Sequence, residues 1–320
     1  MRFYQGVLHS QGLSRGEGRC YGHSVMPARP FLLLVAICFV WALNVVVSNI
    51  VVTRLGVPPL SYAAARSAVV VLCLLPFLRP LPQGLPRVMA VTFMVSGGSF
   101  ALLFVGLQHA TPSAAAVVNL SGAPLTVLFA IFILGEKVHW RRGLGIACTF
   151  AGVLIAIASP SGWQSSFGLL FVFVSAVTGA LGSVWIKQVD LDPWRLQAWA
   201  ALGSVIVLVP LSALLESGQI GAMQAGGWHY LAALAFSALV VSLGAHTFYF
   251  GMLQRYDANL IAPLTLMTPV FTIALGAWLT GDPVGWLLIL GAGVAGLGVL
   301  VILVRPSTAI FKPLLVRPRL

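Results

Sequence analysis

Apolar residues run along this chain in blocks of about 20, broken by short clusters of Pro, Gly or charge. The blocks lie near 31–52, 59–79, 88–108, 111–134, 140–158, 167–187, 195–215, 228–252, 259–280 and 284–304. A helix needs about 20 apolar residues to cross the hydrocarbon core of a bilayer, so each block predicts one membrane-spanning helix. The pattern predicts an all-α integral membrane protein of ten transmembrane helices with short connections.

Composition agrees, with 59% hydrophobic and 8% charged residues, against roughly 25% charged in an ordinary soluble domain. The formal charge of +11 does not suggest nucleic acid, because the Lys and Arg residues sit in the gaps between apolar blocks instead of on one folded face. Of the four cysteines, Cys38, Cys73 and Cys148 lie inside apolar blocks with no CxxC or Cys/His spacing. Neither a disulfide frame nor a metal site is indicated, and no cofactor is expected. Residues 1–27 are polar, Gly-rich and basic, without the apolar h-region of a signal peptide. They read as a disordered arm or as an extension upstream of a start at Met26.

Charge position fixes topology. With the N-terminus inside, ten spans leave only Arg54 in an outside loop and Arg66 within a span, so sixteen of the eighteen basic residues fall on the cytoplasmic side, as the positive-inside rule requires. Both termini are therefore expected in the cytoplasm. Sliding the chain against itself exposes a repeat at an offset of 146: Gly135, Glu136, Gly145 and Gly152 fall on Gly281, Asp282, Gly291 and Gly298, and Pro124 meets Pro269 if one residue is inserted. The domains read as a five-helix repeat over 28–160, a second over 161–305, and a basic cytoplasmic tail over 306–320. Five is odd, so the second repeat enters from the opposite side. Inverted repeats place a binding site near the midplane between the halves.

Several stretches resemble the drug/metabolite transporter superfamily, in particular its EamA-like ten-helix exporters. They are FVWALN at 39–44, PPLSYAAAR at 58–66, the run from ATPSAAAVVNLSGAPL at 110 through the fifth span, and MLQRYDANLIAPLTLMTPVFTIALGAWLTGD at 252–282. The likeness covers roughly 31–304. It implies a multi-pass protein of the cell inner membrane, partnered by lipid and a small-molecule substrate. The LQRY and APL elements are most similar to exporters of cysteine and its O-acetylserine precursor. The sequence departs from the pattern in carrying Trp185 near the cytoplasmic end of the sixth span and Asp282 where relatives carry Glu.

Ionisable groups inside spans are costly and mark function by default. No Asp or Glu lies near any midplane, which argues against a carboxylate proton relay. Arg66 lies about 10 Å deep at the helical rise, as a gate or substrate anchor, or as a side chain snorkelling to the outer headgroups. His246 is the one histidine well inside a span, and reads as a packed hydrogen-bonding group, a substrate contact or a proton carrier. Asn44 and Asn119 sit near the middle of the first and fourth spans, where an amide must face the bundle or a watery cavity. Trp41, Phe100, Tyr249, Thr265 and Thr268 each admit a cavity-lining or a packing reading. Pro124, Pro263 and Pro269 interrupt the fourth and ninth spans, and paired broken helices point to a transporter's central site and its gating. The small residues of GAGVAGLG at 291–298 predict close helix packing, with a homodimer seam as a second use. Glu136 and Asp282 read as interfacial structure.

An intramembrane enzyme would need a nucleophile–base pair, a metal cluster or paired carboxylates within the spans, and the sequence displays none. There is no GxxxxGK[ST] motif for direct use of ATP. The expectation is a secondary transporter that exports a small polar metabolite, such as an amino acid or derivative, by alternating access. A non-transporting scaffold, or a transporter importing a different metabolite class, is the alternative left open.

Overall fold

The computed structural model describes residues 28–134, 140–186, 189, 191–255 and 264–303. All regular structure among them is helical. Nine helices of the described residues are long and apolar enough to cross a membrane: α1 (Ala28–Thr53), α2 (Pro59–Leu78), α3 (Leu85–Leu107), α4 (Pro112–Ile133), α5 (Trp140–Ile157), α6 (Ser166–Ile186), α7 (Pro193–Leu215), α8 (Gln219–Tyr249) and α10 (Trp286–Leu303). A shorter apolar helix, α9 (Met267–Thr280), lies in the later part of the expected ninth span. Pro263, Glu136, the 1–27 extension and the 306–320 tail lie outside the described residues.

Local sequence sets the starts. Pro59, Pro112 and Pro193 occupy the first turns of α2, α4 and α7, where a missing N–H costs nothing and φ is already helical. Thr111 and Asp192 cap the latter two, accepting from the N–H groups of Ala114 and Trp194. Two stretches read as connections prove helical. Pro160–Gln164 forms a short helix, and α8 begins at Gln219 and bends at Gly227, whose φ of +50° is open to glycine at little cost.

The helices alternate in direction, so the bundle has two ends. One, here the near end, carries the α2–α3 and α6–α7 connections; the far end carries the α1–α2, α3–α4, α5–α6, α7–α8 and α9–α10 connections. The main pairings are α5 with α10, α2 with α7, α3 with α6, α1 with α9, and the second piece of α4 with α6. Glycines decide the closest of these. A Cβ on Gly152 would lie 2.6 Å from the Gly291 carbonyl oxygen, and one on Gly291 would lie 2.6 Å from that of Gly152. The same exchange joins Gly145 and Gly298, at 2.8 and 2.6 Å. Between these pairs Thr149 Oγ1 lies 3.5 Å from the Ala295 carbonyl oxygen.

The small-residue run at 291–298 is thus divided in its use. Gly291, Ala295 and Gly298 are buried against α5, the close packing within the chain that the small residues predict. Gly293 and Gly296 face open space and line an apolar groove of about 550 Å³ with Leu120, Leu266 and Pro269.

Carboxylates stitch the far end. Glu216, at the end of α7, accepts from the N–H groups of Leu60 and Ser61 at 2.8 and 2.9 Å, satisfying the exposed donors at the start of α2. Asp282, between α9 and α10, accepts from the N–H and Oγ of Ser113 at 2.9 and 2.6 Å. The interfacial role expected of Asp282 is therefore a cap on α4. Asn49 Nδ2 donates to the Leu107 carbonyl at 2.7 Å, tying α1 to the end of α3. Asp282→Ala strips the α4 cap of two charge-assisted hydrogen bonds and is expected to cost about 1–3 kcal/mol. A fall of several degrees in the melting temperature of the detergent-purified protein checks it, with Asp282→Asn falling less.

Candidate functional site

The fourth and ninth helices are both interrupted. α4 comes in two pieces, Pro112–Asn119 and Gly122–Leu134, and Pro124 stands in the first turn of the second. α9 begins at Met267 after a turn at Thr265 and Leu266, with Pro269 in its first turn. A proline tolerated in a first turn is a barrier to continuing backwards, which accounts for both breaks. Beside the second, Cys38 Sγ donates to the Leu264 carbonyl at 3.8 Å. Leu264, Met267 and Phe271 pack with Trp41 and Tyr249 in one apolar cluster.

That cluster adjoins the centre of the bundle. The Trp41 ring lies 5.0 Å from Tyr249 and 5.3 Å from His246, and Phe100 lies edge-on to His246 at 6.2 Å. Arg66 turns inward instead of snorkelling: it is 5% exposed, its guanidinium carbon sits 3.9 Å from the Phe100 ring centroid, and Nε donates to Ser242 Oγ at 3.0 Å. Its nearness to the membrane surface in sequence did not decide its direction, because the ring and hydroxyl inside offer what headgroups would. Phe100 supplies a cation–π contact of about 0.5–2 kcal/mol. Arg66 Nη1 remains buried with no partner among the described residues, and so does Trp41 Nε1.

His246 Nδ1 lies 2.8 Å from the Val241 carbonyl oxygen. A carbonyl only accepts, so Nδ1 carries a proton and donates it. A cavity of about 120 Å³ lies beside these groups, lined by Arg66, Phe100, His246, Ser96, Gln197 and Thr92, and reaches Ile186 and Leu196 towards the near end. A second lobe of about 10 Å³ shares Arg66, Phe100 and Gln197.

Towards the far end the path is shut. Tyr62 and Phe104 are fully buried, 5.1 Å apart, with Tyr230 at 6.4 Å from Tyr62. Ser237 Oγ donates to Asn44 Oδ1 at 2.8 Å, so its single proton is spent and the Tyr62 hydroxyl donates to it at 2.6 Å. Asn44 thus belongs to the seal, one layer beyond the cavity.

Trp41, Phe100, Arg66, His246 and Tyr249 are brought together, with Asn44 adjoining. Asn119 is not: it is exposed at the end of the first piece of α4 and lines neither lobe. Thr265, half-buried in the turn before α9, and Thr268 lie with the break instead of the cavity. Sequence reasoning passed over Ser96, Gln197, Ser242, Tyr62 and Ser237. One available signal was the pair Val95-Ser96-Gly97-Gly98 and Val241-Ser242-Leu243-Gly244, again at offset 146, which also sets Phe100 against His246. Both fall in π-helical turns, Met94–Gly98 and Phe236–Ala245, a distortion frequent at functional sites.

The EamA-like transporter family model matches residues 29–158 and again 166–304. The fold and the match together define a multi-pass membrane transporter and not an enzyme. The chain belongs to the EamA-like transporter family. It is similar to the probable amino-acid metabolite efflux pump of Escherichia coli (strain K12), 26% identical over 277 residues that cover 83% of this chain and 92% of the relative. The uncharacterized inner membrane transporter YedA of the same strain is 21% identical over 262 residues, covering 79% and 83%. A crystal structure 21% identical, covering 87% of this chain and 98% of its own, has the same fold with a TM-score of 0.56.

Proposed function

We propose that the protein exports a small polar metabolite, an amino acid or derivative, from the cytoplasm across the inner membrane by alternating access. The observation that carries this reading is the cavity at Arg66, Phe100 and His246, which reaches towards one end of the bundle and is sealed at the other. The export direction leans on the efflux pump to which the chain is similar.

In this reading there are ten spans in two inverted five-helix repeats, 28–160 and 161–305, with both termini and the near end in the cytoplasm. Arg79, Arg87, Arg141, Arg142 and Arg195 lie at near-end helix termini and connections while Arg54 lies at the far end, which supports that orientation. The repeat reading is supported by reciprocity: Gly145 meets Gly298 and Gly152 meets Gly291, the exchange of contacts that a two-fold axis produces between equivalent helices. Thr149, touching its own counterpart Ala295, would lie on the axis. The breaks at Pro124 and Pro269 are equivalent hinges in the two halves, and Arg66 with the aromatic side chains around it holds the cargo.

Counterflow tests it. Proteoliposomes preloaded with unlabelled amino acids and derivatives are expected to accumulate the labelled form of at least one above protein-free vesicles. No counterflow with any member of a broad amino-acid and organic-acid panel would sink the reading.

A further inference from the structure

The cavity holds a cation with nothing to balance it. Arg66 is permanently charged and 5% exposed, and its partners among the described residues are a hydroxyl and aromatic rings, all neutral. The three described carboxylates are engaged elsewhere: Asp192 caps α7, Glu216 caps α2 and Asp282 caps α4. A buried donor on a charged group left unpaired is costly; Arg66 Nη1 has no partner among the described residues, and Arg66 lines the cavity.

The second half of the argument is what the cavity lacks. A zwitterionic amino acid brings an ammonium as well as a carboxylate, and beside a guanidinium an ammonium is held best by an anion or a free aromatic face. Among the described lining residues there is no carboxylate, only neutral acceptors such as Ser96, Thr92 and Gln197; the Phe100 face is taken by Arg66, and a second cation beside that guanidinium is repelled. An oxyanion without an ammonium meets every requirement: it takes the free guanidinium N–H.

We propose that the cargo is a monoanion, held by its carboxylate on Arg66, and that its export is electrogenic, driven by the membrane potential with no coupling proton. The inference rests on the carrier reading above and narrows it. A cell interior that is electrically negative expels anions, and 100 mV acts on one charge with about 2.3 kcal/mol, equivalent to a concentration ratio of about 50. An exporter of anions therefore needs no carboxylate relay, and none is found within the described spans.

Three probes of one shape separate the charges: valine, its 2-oxo analogue 3-methyl-2-oxobutanoate, and valinamide, which carry net charges of zero, minus one and plus one. Each is offered to proteoliposomes at equal pH on both sides, with a potassium diffusion potential set by valinomycin. The expected result is uptake of the 2-oxo acid alone, at least 10-fold faster with the interior positive than with it negative. Uptake of valine or valinamide in preference to the 2-oxo acid, or 2-oxo acid uptake indifferent to potential, overturns the proposal. So does failure of all three to move; the broader carrier reading then stands or falls separately on the counterflow panel.

Discussion

Arg66→Gln is expected to reduce transport by about 30-fold or more while leaving the purified protein as stable as before. The amide keeps a hydrogen bond to Ser242 and much of the contact with Phe100, but removes the charge. Losing a charge-assisted pair with a bound anion costs about 2–5 kcal/mol, or roughly 30- to 5,000-fold. Stability behaves differently because the empty site already holds an unpaired buried charge, and replacing such a charge by a neutral side chain is often neutral or stabilising. Arg66→Lys keeps the charge but not the fork, and should retain a measurable fraction of transport. Flux in vesicles read beside the melting temperature checks this: a structural arginine would lower both together, whereas the anchor proposed here lowers flux alone.

The other large effect is on folding. Gly152→Val places a branched side chain where even a Cβ would stand 2.6 Å from the Gly291 carbonyl oxygen and 2.8 Å from Ala295 Cα. These atoms are backbone and cannot rotate away, so α5 and α10 must separate. Overpacking costs about 1–3 kcal/mol where side chains yield and more where they cannot; here the cost is put at about 3 kcal/mol or more, near 10 °C in melting temperature. Gly291→Val should do the same, its Cβ lying equally close to the Gly152 carbonyl oxygen. Gly293→Val, one turn face away with nothing within 4 Å, should fold normally. The three variants compared by size-exclusion profile and thermal denaturation separate close packing from a general intolerance of glycine substitution.

That contrast marks how far the sequence could be read. The spans were legible because a bilayer demands long apolar runs, and the small-residue helix was legible as a packing element. Which of its faces packs was not: α10 is apolar all round, since one side meets lipid and the other meets α5, so no polar stripe orients it. The same blindness separates Asn44 from Asn119. Both are amides in apolar runs, yet one is locked between Ser237 and the core and the other is exposed at a helix break. Arg66, Trp41, Phe100, His246 and Tyr249 were legible one at a time, as charges or rings where lipid would not place them. Their convergence depends on the crossing of α1, α2, α3 and α8, which no local pattern records. Glu216 was passed over because a carboxylate at a helix end looks like an ordinary surface charge until α2 is brought against it.

Alternating access requires the far end to open, and a reversible tether there tests it most directly. Cysteines placed at Ser113 and Asp282, whose side chains touch at 2.6 Å, in a chain with its four native cysteines replaced, can be bridged by a short bis-methanethiosulfonate. Before bridging the double variant should transport, after bridging transport should fall to the level of empty vesicles, and reduction should restore it. Full transport with the bridge intact would contradict the account, because the cargo would then be crossing without the far end ever parting.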